Sequence, residues 1–250
     1  MAYFTSDGHE ISYIDRGQGK PVLLIHGFAS SKDVNWVHPG WVKTLTEAGY
    51  RVIAIDNRGH GRSAKLYDPA LYSSPIMAED AKHLLDHLEI DQAYVMGYSM
   101  GARISAFLSL KYPERVKRVV FGGLGSGMIH GTGDPAPIIS ALEAEDPASI
   151  NHVTGKAFRT FADQTGSDRL ALAACMKSAR QKITVEELAE LSVPALVAVG
   201  TRDVISGKAS ELADILPSGE AVDIPDRDHM LAVGDKVYKE AVLEFFGRDQ

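Results

Sequence analysis

Cysteine is nearly absent: the 250 residues contain one, Cys175, so no internal disulfide can form. It lies in the alanine-rich helical pattern "RLALAACMKSA" and reads as a small buried core residue. No block of clustered Lys and Arg interrupts a chain of formal net charge −7, which argues against a sequence-independent nucleic-acid footprint. No run approaches the roughly 18 continuous apolar residues of a membrane span. The opening "MAYFTSDGHE" has neither the basic segment nor the apolar core of a signal peptide. Repeats and low-complexity tracts are missing. No His, Asp, Glu or Cys cluster has zinc-ligand spacing, and no G-x-G-x-x-G opens a helix, so neither metal nor cofactor is expected. These absences point to a cytoplasmic protein with a small-molecule partner, without nucleic-acid or membrane partners. They leave the oligomeric state open.

What is present is a large apolar fraction, 45% of the chain, enough for one sizeable α/β domain or one domain with an insertion. Asp7-Gly8 is a hairpin turn signal between two extended segments. Short apolar runs then alternate with helical patterns. "PVLLIHGF", "YRVIAID", "QAYVMGYS", "VKRVVFGG", "PALVAVGT" and "EAVDIP" read as strands. Between them Trp41, Leu45 and Ala48 recur at helical spacing. In the next helix Ser74 is the expected N-cap, Pro75 opens the first turn, and Ala81, Leu84, Leu85 and Leu88 form one apolar face. Ile104, Phe107, Leu108 and Leu110 mark another helix, and "DKVYKEAVLEFF" closes the chain as a further one. Continuous apolar strands alternating with helices predict an α/β fold with a mostly parallel eight-stranded sheet covered on both faces. Right-handed crossovers bring the loops that begin at His26, Asp56, Gly97, Gly122 and Gly200 to one edge, where such folds bind ligands.

One interval breaks the alternation. Residues 124–191 contain no strand-like run, only "GGLGSGMIHGTGD" and then helical patterns, with Asp146-Pro147 and the pair Thr184 and Glu187 as helix-start signals. A structureless loop of that length is implausible in a compact domain, so the interval reads as a helical cap over the strand ends. Residues 1–123 and 192–250 then form the core.

"VMGYSMGARIS" places Ser99 between a strand and a helix in a G-x-S-x-G pattern. A serine hydroxyl needs a base for its proton, an orienter for that base, and donors for the oxyanion. A sharp strand-to-helix turn leaves no room for a Cβ at Gly97 or Gly101. Of nine histidines, His229 alone follows the last strand in a short polar loop, "PDRDHM", at the right edge; His26 and His60 also reach that edge. Asp203, after the strand ending at Val199, is the best-placed acid. Asp56 is the runner-up, and Asp228 sits badly for its neighbour.

The order Ser99, Asp203, His229, with "HGF" after the third strand, "DNRGHGRS" after the fourth and "GYSMG" after the fifth, resembles the α/β-hydrolase fold family over nearly the whole chain. The resemblance implies Ser99 as nucleophile, His229 as base and Asp203 as the acid that fixes the imidazole tautomer. It also implies an oxyanion hole from the backbone N–H of Met100 and of Phe28. His26, Gly27, His60, Gly61 and Ser63 then shape loops. Ala102 departs from the further glycine that many members carry. Relatives that cleave halides or epoxides need a carboxylate nucleophile, and the elbow residue here is serine.

Hydrolysis of a small or medium carboxylic ester is the leading expectation, with Met128, Phe158, Phe161, Leu170 and Met176 offered for an apolar pocket. "GYSMGAR" also resembles the elbow of the succinyl-hydroxy-cyclohexadiene-carboxylate synthases. That likeness makes Arg103, with Arg159, Arg169 and Arg180, a candidate carboxylate clamp for a lyase. Carbon–carbon bond hydrolysis, perhydrolysis and a silent binding module on the same fold complete the alternatives.

Overall fold

The computed structural model describes residues 2–178 and 181–248. Asp7 and Gly8 both take positive φ, 47° and 80°, which joins strands β1 (Ala2–Ser6) and β2 (His9–Arg16) by the turn expected for that dipeptide. Six more strands complete the set: β3 (Lys20–Ile25), β4 (Tyr50–Ile55), β5 (Ala93–Tyr98), β6 (Val116–Gly122), β7 (Ala195–Gly200) and β8 (Gly219–Ile224). They form one sheet in the order β1-β2-β4-β3-β5-β6-β7-β8. β1 and β2 run antiparallel to their neighbours, and β4, β3, β5, β6, β7 and β8 are parallel.

Side chains alternate between the two faces of a strand, and β3 divides its residues between two cores accordingly. Leu23 and Ile25 enter one core with Leu84 of α2 (Ser74–His87), Ile104 of α3 (Met100–Lys111) and Leu212 of α9 (Ala209–Ala213). Val22 and Leu24 enter the other with Leu45 of α1 (Trp41–Glu47) and Phe245 and Phe246 of α10 (Lys236–Gly247). Both faces are therefore dry, and each fully buried leucine or phenylalanine contributes about 2 kcal/mol.

Helix α2 starts one residue earlier than expected. Ser73 is its cap, in an extended conformation with its hydroxyl accepting from the Ile76 N–H, so Ser74 and Pro75 lie inside the first turn. Either serine could have capped; the backbone at Ser73 is the one outside helical space.

Between β6 and β7 the described residues form helices and no strand: α4 (Gly127–His130), α5 (Ala136–Glu143), α6 (Val153–Gln164), α7 (Arg169–Lys177) and α8 (Val185–Ala189). Thr184 and Glu187 close the capping box at α8. Ile138, Leu142, Ala162, Leu172, Ala173 and Met176 gather around Ala29, with Phe28, Phe158 and Phe161 packed against them. This helical segment thus rests on the loop after β3. No described helix is long and apolar enough to cross a membrane.

Candidate active site

β5 delivers Ser99 at φ 54° and ψ −113°, a left-handed conformation that a β-substituted residue holds only when its surroundings dictate it. The surroundings here are backbone. The Ser99 N–H donates to the Gly122 carbonyl at 2.8 Å. A Cβ at Gly97 would fall on the Gly101 carbonyl, and one at Gly101 on the Ile25 carbonyl. The elbow is therefore packed to contact against β3 and its own helix.

β7 and β8 are neighbours, paired Gly200 to Ile224, so the loops after them emerge side by side. The N–H of Arg202 donates to the Arg227 carbonyl at 3.0 Å and stitches the two loops together. One carries Asp203 and the other His229. His229 Nδ1 lies 2.7 Å from Asp203 Oδ2, and His229 Nε2 lies 3.0 Å from Ser99 Oγ. The carboxylate fixes the proton on Nδ1, which leaves Nε2 as acceptor toward the serine. Tyr98, beside the elbow, donates from its hydroxyl to the His229 carbonyl at 2.6 Å and holds that loop down.

Asp203 is buried, which pushes its carboxyl upward. The hydrogen bonds from His229, Ser206 and the Ile205 N–H outweigh this and hold it below the usual range. Asp228 faces away from His229 and accepts from the N–H groups of Met230 and Leu231. Asp56 is spent on Lys32, on the Lys32 N–H at 2.8 Å and on the Arg62 N–H at 2.9 Å. It holds a turn.

The N–H groups of Phe28 and Met100 have no hydrogen-bond partner among the described residues. Met100 opens α3, so the positive end of the helix faces the serine. Phe28 is carried on a loop fixed from below. Asn35 Oδ1 accepts from the Gly27 N–H at 3.1 Å, and His26 Nε2 accepts from the Asn57 N–H at 3.0 Å. That second bond puts the His26 proton on Nδ1, which donates to the Gly27 carbonyl at 2.7 Å. His60 Nδ1 serves the Arg58 carbonyl at 2.9 Å. Burial lowers both imidazoles, His60 to about 3, so both are neutral scaffold.

The remaining candidates divide. Phe158 and Phe161 are half-buried and Met176 buried beside Phe28, while Cys175 lies against Met100 with Tyr72 and Leu66 close by. Met128 is instead sealed into the core under α3, and Leu170 is 54% exposed. Neither joins that apolar group.

Arg103 is 8% exposed, and its guanidinium donates to the carbonyls of Gly127 at 2.9 Å, Met128 at 2.7 Å and Gln181 at 3.3 Å. Arg159 donates to the carbonyls of Ala141 and Ala144, and Arg169 to those of Leu142 and Ala144, which caps the end of α5. The expected carboxylate clamp is thus absent at these three: backbone carbonyls of the helical segment, and for Arg159 also the Asp163 carboxylate at 2.9 Å, take the guanidiniums first. Arg180 lies outside the described residues.

Sequence reasoning missed Ser206, Asn35 and Tyr98. Only Ser206 left a trace, its position three residues after Asp203.

Residues 20–147 match the alpha/beta hydrolase fold family. The chain belongs to that family. It is 28% identical to the non-heme chloroperoxidase CPO-A1 of Kitasatospora aureofaciens, over 98% of each chain. It is 34% identical to epoxide hydrolase B of Mycobacterium tuberculosis over 140 residues, a match that takes in 53% of this chain and 38% of that one. A solved hydrolase of Pseudomonas aeruginosa PA01 superposes with a TM-score of 0.81 at 25% identity, over 98% of both chains. As a family member the chain is an enzyme of the hydrolase type with a small-molecule substrate.

Proposed function

We propose that this hydrolase cleaves an uncharged carboxylic ester of small or medium size through an acyl-enzyme on Ser99. His229 is the base, Asp203 its orienting acid, and the N–H groups of Phe28 and Met100 receive the oxyanion. The observation that carries the reading is the hydrogen-bonded chain from Ser99 Oγ to His229 at 3.0 Å and on to Asp203 at 2.7 Å, beside two unpaired amides.

Ser99 Oγ attacks the acyl carbon and its proton passes to His229 Nε2. The same proton leaves with the departing alcohol. Water then gives a proton to Nε2 as its oxygen bonds to the acyl carbon; the bond from Ser99 Oγ to that carbon breaks, Nε2 returns the proton to Oγ, and the acid is released. Negative charge gathers on the carbonyl oxygen in both steps, where two N–H groups and a helix start are already aimed.

Residues 124–191 act as a cap on a core of 1–123 and 192–250. Cys175, Phe158, Phe161 and Met176 of the cap pack against Phe28 and Met100 of the core, and this apolar group suits an apolar acyl chain. With Arg103 and Arg169 held by backbone carbonyls and Arg159 by carbonyls and Asp163, nothing among the described residues favours an anionic substrate or the lyase reading. Epoxide opening does not carry over from the relative either: Ser99 has no carboxylate to attack the ring.

The test is turnover of p-nitrophenyl esters from acetate to octanoate. Hydrolysis of the short and medium chains, fading with length, is expected. Failure on every chain length, with turnover of a dicarboxylate, would overturn the reading.

A further inference from the structure

Ser206 stands where the acid loop meets the first turn of the helical segment. Its N–H donates to Asp203 Oδ1 at 3.0 Å, and its hydroxyl lies 2.6 Å from Asp203 Oδ2. The same oxygen lies 2.6 Å from the Gly123 carbonyl and 3.1 Å from His229 Nδ1. The Ser206 carbonyl accepts from the N–H groups of Gly125 and Gly127, each at 2.9 Å. At 0% exposure the side chain has no access to bulk solvent.

A serine hydroxyl has one proton to donate, and here two acceptors stand at equal distance. In the resting site His229 Nδ1–H already donates to Asp203 Oδ2, so a bond from Ser206 gives that oxygen two donors. When the imidazole takes the Ser99 proton, positive charge appears beside Asp203. An anion shared between two donors stabilises that charge less than one facing it alone. Rotation of one O–H about the Cβ–Oγ bond moves the second donor away without exposing any group. The proton stays on Oγ throughout, and only its acceptor changes.

We propose that Ser206 is a positioning residue of this site. Its hydroxyl holds the Asp203 carboxylate toward His229 at rest and turns to the Gly123 carbonyl as the imidazolium forms. The proposal rests on the Ser99–His229–Asp203 triad acting as proposed for ester cleavage. The other titratable groups around the pair are Tyr98, bonded to the His229 carbonyl, Tyr238 behind it, and Asp228, turned to its own loop.

The experiment is the pH profile of kcat and KM on a p-nitrophenyl ester for Ser206→Ala and Ser206→Thr, with thermal melts for each. In Ser206→Ala, kcat falls by roughly tenfold with KM unchanged, because Asp203 loses the contact that aims its carboxylate and His229 meets Ser99 in a poorer geometry. The acid limb moves to higher pH, because a carboxylate with one donor fewer holds the imidazolium more tightly. Ser206→Thr, which keeps the hydroxyl, restores the limb. If Ser206→Ala does not fold, Ser206→Cys keeps the volume with a much weaker donor and must move the limb in the same direction. A folded Ala or Cys variant with the parent kcat and an unmoved limb overturns the proposal. Ser99→Ala in the same assay separates the two ideas: if it retains full turnover the triad itself is wrong, and if it is dead while the limb stays fixed only the role of Ser206 is lost.

Discussion

Arg103 Nη2 donates to the Gly127 carbonyl at 2.9 Å, so the helix that begins at the elbow serine also carries the first turn of the segment packed above it. Ser99 and Arg103 sit one turn apart on that helix, and each faces a different task. The serine meets a histidine; the arginine meets backbone carbonyls of the segment above it.

Removing that arginine tests its task. In Arg103→Met the carbonyls of Gly127, Met128 and Gln181 lose a buried donor. We expect a loss of about 3 kcal/mol, a fall in Tm of roughly 5–10 °C. The ratio of kcat/KM for neutral and anionic esters should not change. A selective loss on anionic esters, with Tm preserved, would restore Arg103 to a clamp.

The elbow is tested at Gly101. A Cβ there meets the Ile25 carbonyl, which belongs to a central strand and cannot yield. Gly101→Ala should destabilise the protein by about 2–3 kcal/mol and lower kcat more than KM, because Ser99 is displaced. Equal stability and activity in the variant would mean that the turn is looser than its geometry.

Two buried neutral histidines give a pH dependence of stability. His60 titrates at about 3 when folded and near 6.5 when exposed, so below 6.5 the unfolded chain binds a proton that the folded chain refuses. Stability then falls as pH drops from 6.5 toward 3, by on the order of 1 kcal/mol per pH unit for that residue. His26, also lowered, acts in the same direction. The lowered carboxylates Asp56 and Asp203 add their own loss only at lower pH, below the ordinary carboxylate value of 3.8. Urea midpoints measured from pH 7 to pH 4 should decline in the parent and decline less steeply in His60→Asn. A flat parent profile would contradict the neutral assignments.

Much of this was legible in the sequence. Ser99, Asp203 and His229 each come after an apolar strand, and strand ends of a parallel sheet converge whatever the loops do. Ser206 looks like any loop serine, because the Gly123 carbonyl it reaches is 83 residues away in the chain. Arg103 misled for a related reason. Its partners, the carbonyls at 127, 128 and 181, are brought to one place only after the helical segment has folded. Met128 and Leu170 are apolar residues of the same helical interval as Phe158 and Met176, and only packing separates a residue under α3 from one at the surface.

Ser99 as nucleophile predicts a covalent adduct at one position. Incubation with a fluorophosphonate, then peptide mass spectrometry, should give one adduct, on the peptide that carries Ser99. Ser99→Ala should abolish the adduct and lower ester turnover by about 10⁵-fold. No labelling of the folded parent protein, or identical labelling of Ser99→Ala, would contradict it.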